Sequence, residues 1–81
     1  MYPAVIRVLA EEDYVLSIDF DNGEKGVLDM KPFLDFGLFR RITNVQEFEK
    51  VHVSFDTIEW ASGADLDPEF VYLKCSKKAH G

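Results

Sequence analysis

Three groups of side chains in this sequence have the types and spacing that chemistry requires. Asp65, Asp67 and Glu69 carry carboxylates two residues apart, an arrangement suited to a hard cation such as Ca²⁺ or Mg²⁺. A calcium loop of the EF-hand kind needs more oxygen ligands over about twelve residues, a central glycine and a closing Glu, and that pattern is absent here. The order Asp67-Pro68-Glu69 reads better as a helix start, with Asp67 as N-cap and Pro68 at the first helical position. His52 stands between Val51 and Val53 in an alternating run. A catalytic histidine needs a nucleophile, an orienting carboxylate or a metal within reach. Ser17, Ser54, Ser62 and Ser76 are the available serine hydroxyls, and none has the flanking residues of a nucleophile elbow. His52 is therefore expected on a solvent face, and His80 has no second histidine at ligand spacing.

Cys75 is the only cysteine. An internal disulfide and a cysteine-based zinc cage are thereby excluded, and a buried small hydrophobe is the expectation. Lys74, Lys77 and Lys78 nearby would supply the positive charge that a reactive thiolate needs. Asp19 and Asp21 flank a turn, where Asp is common. The five glycines, Gly23, Gly26, Gly37, Gly63 and Gly81, form neither a phosphate loop nor a dinucleotide fingerprint. No catalytic residue, cofactor-binding residue or metal ligand is assigned, and the expectation is a protein that is not an enzyme.

Recognition of a partner is the remaining chemistry. Trp60 precedes a glycine-containing loop and the acidic segment Asp65 to Glu69. Trp and Tyr are common interface anchors, while core packing with a bonded indole is the competing role for a tryptophan. Trp60, Asp65 and Tyr72 are the candidate partner contacts, with Asp65 free because Asp67 already serves as cap.

The charge balance narrows the partner. Nine Lys and Arg against fifteen Asp and Glu give a net charge of −6. Phosphate binding needs a basic stripe, and the clusters here are only Arg40-Arg41 and Lys74 with Lys77-Lys78, so no direct nucleic-acid partner is expected. The acidic balance suits a basic protein surface and also keeps a small protein soluble. No apolar run approaches the roughly 20 residues of a membrane span. Met1-Tyr2-Pro3 leads straight into a strand without a basic n-region or an h-region. A cytoplasmic protein with no membrane contact is the expectation.

Elements must position these residues, and 81 residues suffice for one domain, expected over residues 1–78 with 79–81 as a loose tail. So short a chain buries only about 60% of its unfolded surface; seven Phe, three Tyr and one Trp supply its core. Ala4 to Ala10 reads as a strand with Ile6 and Val8 on one face. Tyr14 to Phe20 alternates strictly, with Tyr14, Leu16, Ile18 and Phe20 on one face. Asn22-Gly23 predicts a type I′ hairpin turn. Glu24 to Leu28 returns as the third strand, with Gly26 a candidate bulge. Asp29 or Met30 then precedes a short helix at Pro32, with Gly37 as its stop.

Asn44 to Glu47 reads as a capping box opening a helix from Val45 to about Lys50, with Phe48 inward. Val51 to Phe55 alternates as a strand, and Ile58 and Trp60 form another pair. The face flips between them, so a turn or bulge lies near Asp56-Thr57. Ala61 to Asp65 is loop. A last helix from Pro68 carries Cys75, with Lys74, Lys77 and Lys78 toward its carboxyl end. The fold class is α+β: an antiparallel meander of three N-terminal strands, one or two further strands, and two or three short helices.

In their order, Pro3-Ala4-Val5, Asp13 to Leu16, Phe20 to Glu24, Asp29 to Leu34, Gly37-Leu38-Phe39, Phe48, Ile58-Glu59-Trp60 and Gly63 to Tyr72 resemble a small bacterial family, domain of unknown function 2442. The resemblance spans nearly the whole chain. Where that family has Trp-Pro before its glycine loop, this sequence has Trp60-Ala61. The resemblance implies a small α+β fold. It also implies a protein that either precedes a helix-turn-helix region or stands alone beside another small protein in a toxin–antitoxin-like pair. It carries over no catalytic residue, and with the sequence ending soon after Tyr72 no appended DNA-binding part is expected.

The leading expectation is a non-enzymatic module that binds another small protein, encoded by a neighbouring gene. The alternative is a regulatory or sensory domain for a small ligand in a transcriptional circuit, which needs a pocket of about 300 Å³ or more and so favours a dimer seam. Free meander edges and leftover apolar surface also predict a homodimer or higher assembly.

Overall fold

A computed structural model describes residues 2–78; Met1 and the predicted tail 79–81, with His80, lie outside the described residues. The three-strand meander is present. Strands β1 (Val5–Ala10), β2 (Val15–Phe20) and β3 (Lys25–Asp29) pair antiparallel in order. Leu16, Ile18 and Phe20 are buried on the inner face of β2, and Val15, Ser17 and Asp19 are half-buried on the other, as a period of two requires.

Ile6 does not share the face of Val8. The register jumps between Val5 and Arg7, so Ile6 is the extra residue of a bulge and turns outward, 60% exposed. Val5, Val8 and Ala10 then face the core. The turn after β2 also differs from the expected one. Asn22 does not have positive φ; only Gly23 does, at 90°. Gly23 N–H donates to Phe20 O (3.1 Å) and Phe20 N–H to Glu24 O (2.9 Å), which is a three-residue loop closed by a left-handed glycine.

Gly26 is not a bulge. It pairs in register with Ile18 and with Lys77. What it supplies is space, because a Cβ there would lie 2.7 Å from Cys75 Sγ and 3.4 Å from Phe20 Cε2. Cys75 is not on the last helix, and neither are the residues after it. Helix α2 (Pro68–Lys74) ends before Cys75, which has extended backbone, and strand β7 (Ser76–Lys78) pairs with β3 as the fourth strand of the first sheet. Gly26→Ala should therefore cost about 1–3 kcal/mol through overpacking. Adding Cys75→Ala should recover part of that loss, because the clashing sulfur is gone. Denaturant titration of the two single variants and the double variant checks this; additive losses would contradict it.

Between β3 and the second sheet lie two 3-10 segments, Lys31–Phe33 and Gly37–Thr43. Gly37 opens the second rather than stopping the first. Asp29 Oδ1 accepts the Lys31 N–H (2.9 Å), and this bond holds the Asp29 carboxyl below its ordinary range. The Asp29 and Asp13 carboxylates hold the Lys31 ammonium above its own. Helix α1 (Val45–Phe48) is shorter than expected. Asn44 accepts from Gln46 N–H and Glu47 N–H, but Glu47 turns to Lys50 (3.0 Å), so only half of the capping box forms.

Strands β4 (Val51–Ser54), β5 (Thr57–Trp60) and β6 (Asp65–Leu66) make the second antiparallel sheet. The face flip is a two-residue hairpin turn at Phe55-Asp56, where both φ are positive, 49° and 68°. Two positive φ values in succession are the mark of a type I′ turn. Val5 N–H donates to Asp56 O (2.9 Å), tying this tip to the first sheet. Asp67 caps α2 as expected, accepting the Glu69 N–H at 2.8 Å. Leu16, Ile18, Phe20, Phe48, Ile58 and Trp60 are among the buried residues of one core shared by both sheets and both helices. No helix among the described residues is long and apolar enough to cross a membrane.

Candidate protein-binding groove

Helix α2 buries Val71 in the core and turns Phe70, Leu73 and Lys74 toward solvent or a half-buried rim. The 3-10 segments run alongside. Phe33 and Phe39 come from these segments and Phe36 from the extended link between them, and all three line one groove. Phe33 meets Phe70 edge-on at 5.0 Å and Phe36 at 6.5 Å between ring centroids. Together with Leu66 these four phenylalanines line a groove of about 380 Å³. Phe36 is 61% exposed, and Leu38 and Leu73, outside the groove lining, are 66% and 56% exposed. Burying such side chains fully is worth about 1.5–3 kcal/mol each, which the chain does not gain by itself.

The rim is polar and mostly acidic. Asp65, Asp67 and Lys74 supply it. Asp67 is committed to its cap. The exposed side chain of Asp65 makes no hydrogen bond or ion pair among the described residues.

The three residues singled out from the sequence are not brought together. Trp60 is 1% exposed, and its indole N–H donates to Phe48 O at 3.0 Å. It is a core residue and offers no surface to a partner. Tyr72 is half-buried on another side of α2. Its hydroxyl donates to Glu24 Oε1 (2.6 Å), which raises its pKa, and its ring packs on Phe20 and under Lys77. Only Asp65 lies in the groove. Sequence reasoning assigns all seven phenylalanines to the core and so misses these four. The available signal is an excess: five large apolar residues, Phe33, Leu34, Phe36, Leu38 and Phe39, crowd two short turns that have no long buried face.

The remaining chemistry-bearing groups have structural partners. His52 Nε2 lies 3.2 Å from Glu59 Oε1 across the β4–β5 pair, on an exposed face. Ser17 Oγ donates to Glu11 (3.0 Å). The Cys75 thiol is buried and directed at Tyr72 O; burial raises its pKa. Among the described residues no group of His, Cys, Asp or Glu is placed to hold a metal ion.

Against known proteins, residues 5–76 match the family described as "Protein of unknown function (DUF2442)". No curated protein and no solved structure shows a significant match.

Proposed function

We propose a function for this chain, which belongs to the DUF2442 family, from its groove: it is a non-enzymatic, cytoplasmic bacterial module that binds another small protein, encoded beside it in a toxin–antitoxin-like pair. One observation carries the reading, the phenylalanine-lined groove whose outer ring, Phe36, stands 61% exposed. Hot spots of protein interfaces are aromatic side chains with a polar rim around them, and the rim here supplies Asp65, Asp67 and Lys74. A partner that places an apolar side chain between Phe33, Phe36 and Phe70 and a cation on Asp65 would complement it.

Asp65→Ala tests the rim. It should leave the melting temperature nearly unchanged, since surface substitutions of this kind stay within about 0.5 kcal/mol. It should weaken binding of the co-purified neighbouring gene product about two- to fivefold, an effect that shrinks as salt rises. A variant that melts several degrees lower, or that binds equally well, would contradict this role. A second copy of the chain is the rival occupant, and a dimer that loses its association on Phe36→Ala would assign the groove to self-assembly.

The small-ligand reading has one observation in its favour. Surface depressions of about 340 to 460 Å³ are present on the single chain, so the volume needed does not require a dimer seam. They are open rather than enclosed, which favours a protein partner. Thermal-shift screening against metabolites discriminates the two.

A further inference from the structure

Phe55 is 96% exposed, at the tip of the β4–β5 hairpin, with φ of 49°. A bulky residue in the left-handed region is an outlier, and full exposure of a phenylalanine gives no packing in return. The residue is therefore held out, not tucked in. Beside it is a second depression, about 460 Å³, with Tyr2 and Pro68 on its apolar side. Asp21, Asp56, Asp67 and Glu69 supply four carboxylates to the same depression, and no basic side chain lines it. Asp21 accepts the Ala4 N–H at 3.2 Å and Asp67 caps α2. Asp56 and Glu69 form no ion pair among the described residues. This surface meets the phenylalanine groove at Asp67, which lines both.

We propose that the Phe55 hairpin tip, with Tyr2 and the carboxylates of Asp56 and Glu69, is a second docking surface that takes an arginine-bearing arm of the protein partner. The proposal rests on the protein-binding reading of the groove. The chemistry selects arginine. A guanidinium stacks on an aromatic face while its planar fork engages carboxylates, and both features lie side by side here. The other acidic depression provides an internal control. Glu11, Glu12, Asp13 and Glu49 line it together with the half-buried Tyr14 ring, but no exposed aromatic ring accompanies them, and Asp13 is already paired with Lys31 at 3.0 Å. Both depressions keep several carboxylates outside any ion pair, so charge alone would draw a cation to either; stacking favours the Phe55 surface.

The probe is an end-capped tetra-arginine peptide, followed by amide chemical shifts of the full chain. It carries no apolar anchor, so its binding does not depend on the groove, and failure here is separable from failure of the groove reading. The expected result is a shift map centred on Tyr2 to Ala4, Phe55, Asp56 and Glu69, weaker for tetra-lysine. Phe55→Gly should fold at least as stably as the parent, because glycine relieves the positive φ, yet bind the peptide about tenfold more weakly. Glu12→Gln should bind it unchanged. Shifts spread equally over Glu11 to Asp13, or peptide binding unaffected by Phe55→Gly, would overturn the proposal. So would a melting temperature several degrees lower for Phe55→Gly, because Phe55 would then be a structural residue.

Discussion

Trp60→Ala should remove a large share of the stability of the protein. The ring is 1% exposed, packs against Phe39 and Phe48 at centroid distances of 6.4 and 6.2 Å, and donates its indole N–H to Phe48 O. Truncating a buried tryptophan costs about 3–5 kcal/mol. At roughly 0.05–0.15 kcal/mol per residue, a domain of 81 residues has only about 4–12 kcal/mol in all. Trp60→Phe separates the contributions. It keeps most of the apolar volume but strands the Phe48 carbonyl, so an intermediate loss of about 1–3 kcal/mol is expected. Denaturant unfolding followed by far-ultraviolet circular dichroism measures both. A loss under about 1 kcal/mol for Trp60→Ala would show that the ring is not the centre of the core.

Phe36→Ala should do the reverse, leaving the fold nearly intact while removing binding. Phe36 is 61% exposed and touches the folded chain mainly through Phe33, so its truncation should change stability by no more than about 0.5 kcal/mol. An aromatic anchor at the centre of an interface is worth about 2 kcal/mol or more, or roughly thirtyfold in affinity. Calorimetric titration of parent and variant with the neighbouring gene product, beside a melting curve of each, checks the two halves together. Equal affinities would remove Phe36 from the interface. A large drop in melting temperature would make it a core residue instead.

The parts of the fold that were legible in the sequence are those whose signal is local. The strict alternation of Tyr14 to Phe20 gives β2 directly, and Asn44 and Asp67 mark the two helix starts because a cap is a contact across two or three residues. Strand β7 was not legible. Ser76-Lys77-Lys78 has no apolar alternation, and it is a strand because β3 offers it an edge. The role of Gly26 depends on Cys75, nearly 50 residues later, and no local pattern carries that. The type I′ turn was expected at Asn22-Gly23 on residue type, yet it forms at Phe55-Asp56, where strand register and the bond from Val5 N–H to Asp56 O override preference.

The candidate site was legible only at Asp65. Residue type points to Trp60 as an anchor, but type does not say which aromatic is left over once a core is full. Leu16, Phe20, Phe48 and Trp60 fill the centre. Phe36 is excluded because its turn faces outward, a fact of tertiary geometry alone.

The most direct test of the groove as a protein-binding site is the footprint of the co-purified neighbouring gene product on this chain, read from amide chemical shifts of the labelled protein. The account predicts shifts concentrated at 33–39, Asp65 to Asp67 and Phe70 to Lys74, with the outer face of the meander at Ser17, Asp19 and Val27 unmoved. A footprint on that outer face, with the phenylalanine groove silent, would contradict it.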